Sequence, residues 1–352
     1  MSTDSVTISV IVPLFNGERF IGETLDSLAR QTPSVHEVVV VDDGSGDAGP
    51  AAAKDHAVGA RLVRQEHGGV AVARNRGALA ATGTHVAFLD QDDIWLRGRH
   101  ARMLRWYSEN DPSDVAITNC TSFVSEGNLP ALQRKNEGLH PGAIVVPDGS
   151  SVFEELSEDD EGDTPRTVRR IEMAELLGGP PSVTSSFIAN RELWLSSGGC
   201  FPLVRSADDY VGLLAASMGA SIFLIDEPSL AYRVHPGSTS MTTTWNLPLL
   251  TAAAAVRHGD RIVGIAAARD PHQVPPLRDG RYFLLHQLGG LADTGQWHSL
   301  LDAAACLQLL GTSSAEKARI SSWIARRWLR QVARGFSRRI ADQRSTRAVL
   351  KW

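Results

Sequence analysis

Val86-Ala87-Phe88-Leu89-Asp90-Gln91-Asp92-Asp93-Ile94-Trp95 is a short apolar run that ends in three carboxylates within four positions. A strand built this way carries its acids to its own carboxyl end, which is where open α/β sheets bind ligands. Three carboxylates there repel one another unless something positive sits among them, and a hard divalent cation with phosphate oxygens meets that need. The stretch therefore reads as the metal and diphosphate floor of a nucleotide-sugar site. It reads equally as a strand followed by an acidic turn and a helix start, because Asp is common in both. Its surroundings have to decide.

Upstream, Val6 to Leu14 is β-branched and nearly continuous, as a strand buried on both faces should be. Phe15-Asn16-Gly17 makes a turn, and Phe20, Ile21, Leu25 and Leu28 recur at helical spacing through Arg30. A strand over Glu37 to Val41 is stopped by Asp42-Asp43-Gly44-Ser45. A helix over Pro50 to His56, a strand over Ala60 to Arg64 and a helix from His67-Gly68-Gly69 through Ala81 follow, and the acidic stretch supplies the fourth strand. This alternation predicts a parallel sheet with helices on both faces, its strand-to-helix turns gathered on one edge. No GxGxxG or GxxxxGK[ST] is present in these turns. A dinucleotide oxidoreductase or a P-loop NTPase would lack its phosphate cradle.

Four blocks then stand in register: Val10-Ile11-Val12-Pro13-Leu14-Phe15-Asn16, Val40-Val41-Asp42-Asp43-Gly44-Ser45, Ala73-Arg74-Asn75-Arg76-Gly77 and Leu89-Asp90-Gln91-Asp92-Asp93-Ile94-Trp95. In order and spacing the sequence resembles the family 2 glycosyltransferases of the GT-A fold. The resemblance implies an α/β, Rossmann-like, mostly parallel central sheet flanked by helices. It also implies inverting, metal-dependent transfer of a hexosyl or N-acetylhexosaminyl group from a nucleotide-diphosphate donor, a UDP-sugar favoured, with Mn2+ or Mg2+ as cofactor. The acceptor would be a hydroxyl or other nucleophile of a glycan, a lipid-linked or a small molecule. Transfer onto a polyprenyl phosphate, and sugar-nucleotide binding without turnover, are the alternatives. On the donor side the resemblance assigns Pro13, Phe15 and Asn16 to the base pocket, Asp43 to a base N–H, Arg74 to the base or diphosphate, Asp90 to the ribose or sugar, and Asp92 to the metal with Asp93 close by. Asp42-Asp43-Gly44 also reads as a plain turn, and Arg74 as a solvated helix arginine.

Asp114 to Thr118 reads as another strand, after which the pattern degrades. Residues 121–170 are taken as a variable insertion, a hairpin plus a loop, whose acidic run from Glu154 to Asp163 reads as a solvated loop or part of the acceptor entrance. Order returns with a strand over Thr184 to Asn190 and a helix over Arg191 to Ser197. Ser206-Ala207-Asp208-Asp209-Tyr210 matches the family's acidic pair, which makes Asp209 the general base and Asp208 a secondary candidate. A capping-box-like helix start explains the same residues. A strand over Ser221 to Asp226 precedes Ala231-Tyr232-Arg233-Val234-His235-Pro236-Gly237-Ser238, where the resemblance gives His235 to the metal or diphosphate and makes Arg233 and Ser238 secondary candidates in a loop over the donor.

The expected domains are a catalytic unit over 1–243 and a helical region over 244–352. The first comprises a nucleotide-binding half (1–120), the insertion (121–170) and an acceptor or closing half (171–243). Of the 35 Lys and Arg, eleven lie in Lys317–Trp352 against one acid, so this end carries about +10 and the rest about −15. The final helix spaces Ile320, Ile324, Trp328, Val332, Phe336 and Ile340 four apart with arginines between. Such a helix suits a peripheral membrane contact, and it suits equally a homodimer contact or packing on the acidic body. The acidic body argues against nucleic acid as a partner. Three separated cysteines without ligand spacing, no basic and apolar leader, and no run near the roughly 18 apolar residues of a spanning helix give a cytoplasmic expectation, with the inner membrane face as a place of contact.

Overall fold

Ile8–Leu14, the unbroken apolar run of the first block, forms strand β1, and all seven of its residues are buried. In the computed structural model the chain divides into two units, Met1–Trp245 and Asn246–Trp352. The structure describes residues 6–134, 143–157, 167–171, 182–200 and 220–238, all within the first. The C-terminal helical region, its basic helix, Asp208 and Asp209 lie outside the described residues.

The order continues α1 (Ile21–Ala29), β2 (Glu37–Asp42), α2 (Gly49–Asp55), β3 (Arg61–Arg64), α3 (Val70–Ala80), β4 (His85–Phe88), β5 (Ile94–Trp95) and α4 (Arg99–Glu109). Then come β6 (Val115–Ser125), α5 (Leu129–Arg134), β7 (Ile144–Val146), α6 (Val152–Leu156), β8 (Val168–Ile171), β9 (Phe187–Asn190), α7 (Arg191–Ser196) and β10 (Ile222–Arg233). The sheet runs β3-β2-β1-β4-β9-β6-β10-β5, with β7 beside β6 and β8 beside β10.

The first four strands are parallel, as the strand–helix alternation requires. The second half is mixed, because β9 enters antiparallel between β4 and β6, and β5 and β8 run antiparallel to β10. From β1 the chain moves outward to β2 and β3, then returns to place β4 on the other side of β1. Such a reversal leaves a crevice at the strands' carboxyl ends. The β1–β4 register ends at Ile11 and Phe88, while β1 runs on to Leu14. Helix α3 closes down on β1 and β2 at Gly77, where a Cβ would stand 2.3 Å from the Ile11 Cγ2 and 3.2 Å from a Val41 methyl.

Four expectations need correction. β6 does not stop at Thr118 but reaches Ser125, so residues 121–125 belong to the sheet, held there by parallel pairing with β10. The insertion also contributes β7 and β8 to the sheet, so it is more than a hairpin and a loop. Its Glu154 sits in α6 and not in a loop, and its exposed side chain pairs with Arg30 at 2.6 Å and Arg97 at 2.8 Å. Likewise β10 continues through Pro228, where its register shifts, as far as Arg233. Tyr232 and Arg233 are therefore strand residues, and only Val234 onward forms the following turn.

Candidate functional site

The carboxyl ends of β1, β2 and β4 bring the four sequence blocks together. After β1, Phe15 is 41% exposed, while Asn16 takes positive φ (49°), a conformation Asn tolerates better than most residues. Asn16 ties the first two turns to each other: its Oδ1 accepts from the Gly46 N–H at 2.8 Å and its N–H donates to Ser45 Oγ at 3.0 Å. Pro13 is buried within β1, beyond the last β1–β4 register pair.

At the end of β2, Asp42 accepts from the Ser45 N–H, and Gly44 supplies the φ of +80° that this turn requires. Asp43 is 3% exposed, and its carboxylate gathers the segment leading into α3. Oδ1 accepts from Gln65 Nε2 and the Gly68 N–H, both at 2.7 Å, and Oδ2 accepts from the Gly69 N–H at 2.8 Å with His67 Nδ1 3.0 Å away. The His67 ring stacks on Phe15, centroids 4.2 Å apart and planes 26° from parallel.

Helix α3 directs Arg74, only 4% exposed, to Asp90 with 2.6 Å between Nη2 and Oδ1, so it is not a solvated arginine. The next residue, Asn75, clasps Cys200 by exchanging both backbone bonds at 2.8 Å. The acids after β4 then separate in direction. Gln91 faces β1, its Oε1 accepting from the Phe15 N–H at 2.8 Å. Asp92 Oδ2 lies 2.9 Å from His235 Nε2.

Asp93 departs from the expectation of a donor contact. It is fully buried, with Oδ1 accepting from the Arg233 N–H at 3.0 Å and Oδ2 from the Ser185 hydroxyl at 2.6 Å. Burial first, then the charges of Asp92 and Asp90, push its pKa well above the usual carboxylate range, against the pull of those two bonds. Asp93 is thus an internal post for the turn. Ser185, which also accepts from the Asp90 N–H at 3.0 Å, locks both ends of the Asp90–Asp93 turn.

Arg233 and Ser238 act behind the same turn. The Arg233 guanidinium donates to the Asp92 carbonyl at 2.8 Å and to Glu23, and lies over the Phe20 and Phe123 rings. Ser238 Oγ accepts from the His235 N–H at 3.0 Å, closing the turn that carries the imidazole. Sequence reasoning missed Ser185, Glu23, Gln65, His67 and Gln91, whose types are ordinary and whose partners are mostly remote in the chain. For Gln91 a signal did exist: it is the variable middle of Asp90-x-Asp92, directly flanked by acids.

Asp92 and His235 can be tested as metal ligands. Adjacent ligands of an octahedral ion at about 2.1 Å stand about 3.0 Å apart, and the observed Oδ2 to Nε2 distance is 2.9 Å. The pair fits in spacing. His235 Nδ1 accepts from the Gly237 N–H at 3.1 Å, which leaves Nε2 to carry the ring hydrogen. Ligation through Nε2 displaces that hydrogen and calls for Nδ1 to donate instead, so it entails a tautomer change and release of Gly237. Among the described residues no cluster of three or more His, Cys, Asp or Glu is arranged to hold a metal. Oxygen ligands from a bound phosphate or water would complete the shell.

Residues 9–154 match the family model described as Glycosyl transferase family 2. The uncharacterized glycosyltransferase EpsJ of Bacillus subtilis is 45% identical over 116 residues, 32% of this chain and 33% of EpsJ. Glycosyltransferase GlyA of Streptococcus pneumoniae is 33% identical over 159 residues, 44% of this chain and 22% of GlyA. The chain thus spans a third or less of the length of these two relatives. Among solved structures, S. aureus TarS 1–349 in complex with UDP superposes over 92% of this chain and 88% of its own, with TM-score 0.54 and 19% identity. The same protein with UDP-GlcNAc gives TM-score 0.53 over 85% of this chain and 83% of its own, also at 19% identity. The fold, the family match over residues 9–154 and these relatives agree: this part of the chain is similar to the family 2 glycosyltransferases, and the chain has a GT-A fold.

Proposed function

We propose that the chain is a metal-dependent, inverting glycosyltransferase that moves a sugar from a nucleotide-diphosphate donor, a UDP-sugar favoured, to a nucleophile on a glycan, lipid-linked or small-molecule acceptor. The observation that carries this reading is the convergence of Phe15 and Asp43, the Arg74–Asp90 pair and the Asp92–His235 pair on one sheet edge at the β1–β4 reversal. The UDP and UDP-GlcNAc complexes of the TarS neighbour support the choice of donor.

In this mechanism Phe15 and Asp43 hold the base, and Arg74, already ordered by Asp90, faces the donor's negative charge. Asp92 and His235 would hold a Mn2+ or Mg2+ ion, which when bound neutralises charge on the departing diphosphate. Ser185, Asp93 and Arg233 fix the turn that presents Asp92, so little has to reorganise as charge develops. Asp209 takes the proton from the acceptor as the new bond to the anomeric carbon forms and the bond to the diphosphate oxygen breaks. The test is nucleotide release from a panel of nucleotide sugars with Mn2+. One donor should support turnover that Asp209→Asn abolishes while binding of that donor persists. Full turnover by Asp209→Asn would remove the base from the mechanism and favour an acceptor that is already anionic.

A further inference from the structure

Beyond the base-pocket assignments, and resting on the nucleotide reading of this edge, the structure points to a role for His67. Its imidazole lies flat on the exposed Phe15 ring, at 4.2 Å and 26°, and its Nδ1 hydrogen-bonds the Asp43 backbone carbonyl at 3.1 Å while standing 3.0 Å from Asp43 Oδ2. A planar ring stacked on Phe15 with a ring N–H aimed at Asp43 is what a pyrimidine with an imide N–H would also present. An ionised carboxylate offers about four acceptor positions. Among the described residues Gln65, Gly68 and Gly69 take up three of those of Asp43, and the His67 ring stands 3.0 Å from Oδ2. Two of these donors are backbone N–H groups just before α3, and Gln65 donates to the same oxygen as Gly68, Oδ1. His67, whose side chain is 59% exposed, is the one that can leave without moving the backbone.

We propose that His67 and the donor's nucleobase compete for the same aromatic face of Phe15 and the same place beside the Asp43 carboxylate, so that His67 sets the nucleotide affinity of this chain by having to swing aside. Asp43 then keeps its bonds from the Gly68 and Gly69 N–H groups, and the base takes the place beside Oδ2 that the His67 ring leaves. The cost to the nucleotide is the fraction of time the slot is closed. An aromatic stack and one hydrogen bond at a half-exposed site hold a side chain closed about ten times as often as open.

The experiment is calorimetry of the full chain with UDP and Mn2+, for the native protein, His67→Ala and His67→Asn, together with one-dimensional NMR of the histidine ring protons. Expected is UDP binding about tenfold tighter for His67→Ala. The His67 ring protons, shifted upfield by Phe15, should move to ordinary positions on UDP addition. Unchanged or weaker UDP binding by both variants, or a ring that stays stacked in the presence of UDP, would overturn the competition and make His67 part of the bound pocket. The exposure of the side chain makes misfolding of the variants a remote concern, and retained unfolding midpoints check it. If the native chain and both variants all fail to bind any nucleotide, the nucleotide reading itself falls, a result distinct from failure of the competition alone.

Discussion

Replacing Ser185 by Ala removes one hydroxyl and tests how the acidic turn is held. Ser185 is fully buried, donates to Asp93 Oδ2 at 2.6 Å and accepts from the Asp90 N–H at 3.0 Å. The alanine leaves both groups without this partner. Each orphaned buried group costs about 1–3 kcal/mol, so the expected loss is about 2–4 kcal/mol of stability. A unit of this size loses about 2–4 °C of melting temperature per kcal/mol. Asp93, already pushed up by burial and by its acidic neighbours, also loses a bond that favours its charged form, so the turn relaxes around a more readily protonated carboxyl. Urea unfolding at constant m-value measures the first effect, and calorimetry with UDP and Mn2+ measures the second, expected as a loss of about tenfold in affinity. An unfolding midpoint and a UDP affinity both equal to those of the native chain would refute the bridging role. Lost stability with unchanged UDP affinity would show that Ser185 supports the fold without shaping the site.

Gly77→Ala should destabilise by about 1–3 kcal/mol in thermal unfolding, because its Cβ would collide with fully buried Ile11 and force α3 off the sheet. Arg74→Lys keeps the charge but loses the planar fork beside Asp90, and should weaken UDP binding about tenfold in the same calorimetry. Burial lowers the pKa of His85 and of His100 below 6.5, only partly offset by the Pro112 and Pro33 carbonyls. A folded pKa below the unfolded one means that their contribution is present above about pH 6.5 and is lost as the pH falls, because the unfolded chain takes up the protons first. Stability should therefore decline as the pH falls below about 6.5, and His85→Gln should make that decline shallower.

The half of the fold built from β1 to β4 was legible because β1, β2 and β4 are largely apolar runs buried on both faces, and turns of recognisable chemistry close β1 and β2. The far half was not. β6 crosses the polar stretch Asn119 to Ser122, and it is pairing with β10, not propensity, that keeps this segment extended. β7 and β8 have three and four residues and depend wholly on their neighbours. At the site, Asp43, Arg74, Asp90, Asp92 and His235 were legible by type and order, yet neighbouring acids look alike in sequence. Nothing in Asp92-Asp93 says that one meets a histidine at the edge and the other turns into the core. Ser185 and Glu23 were invisible for a related reason: a serine just before β9 and an acid on α1 gain their roles only when the fold sets Ser185 beside Asp93, 92 residues away, and β10 brings Arg233 to Glu23, 210 residues away.

The central claim is that Asp92 and His235 form one side of a metal-dependent nucleotide site. Its most direct test is calorimetry of the full chain with UDP, with Mn2+ and again with the metal chelated, for the native protein, Asp92→Asn and His235→Ala. Expected is UDP binding that falls at least about tenfold on chelation in the native chain, and that no longer responds to Mn2+ in Asp92→Asn. Equal UDP affinity with and without metal, or no nucleotide binding under either condition, would contradict it.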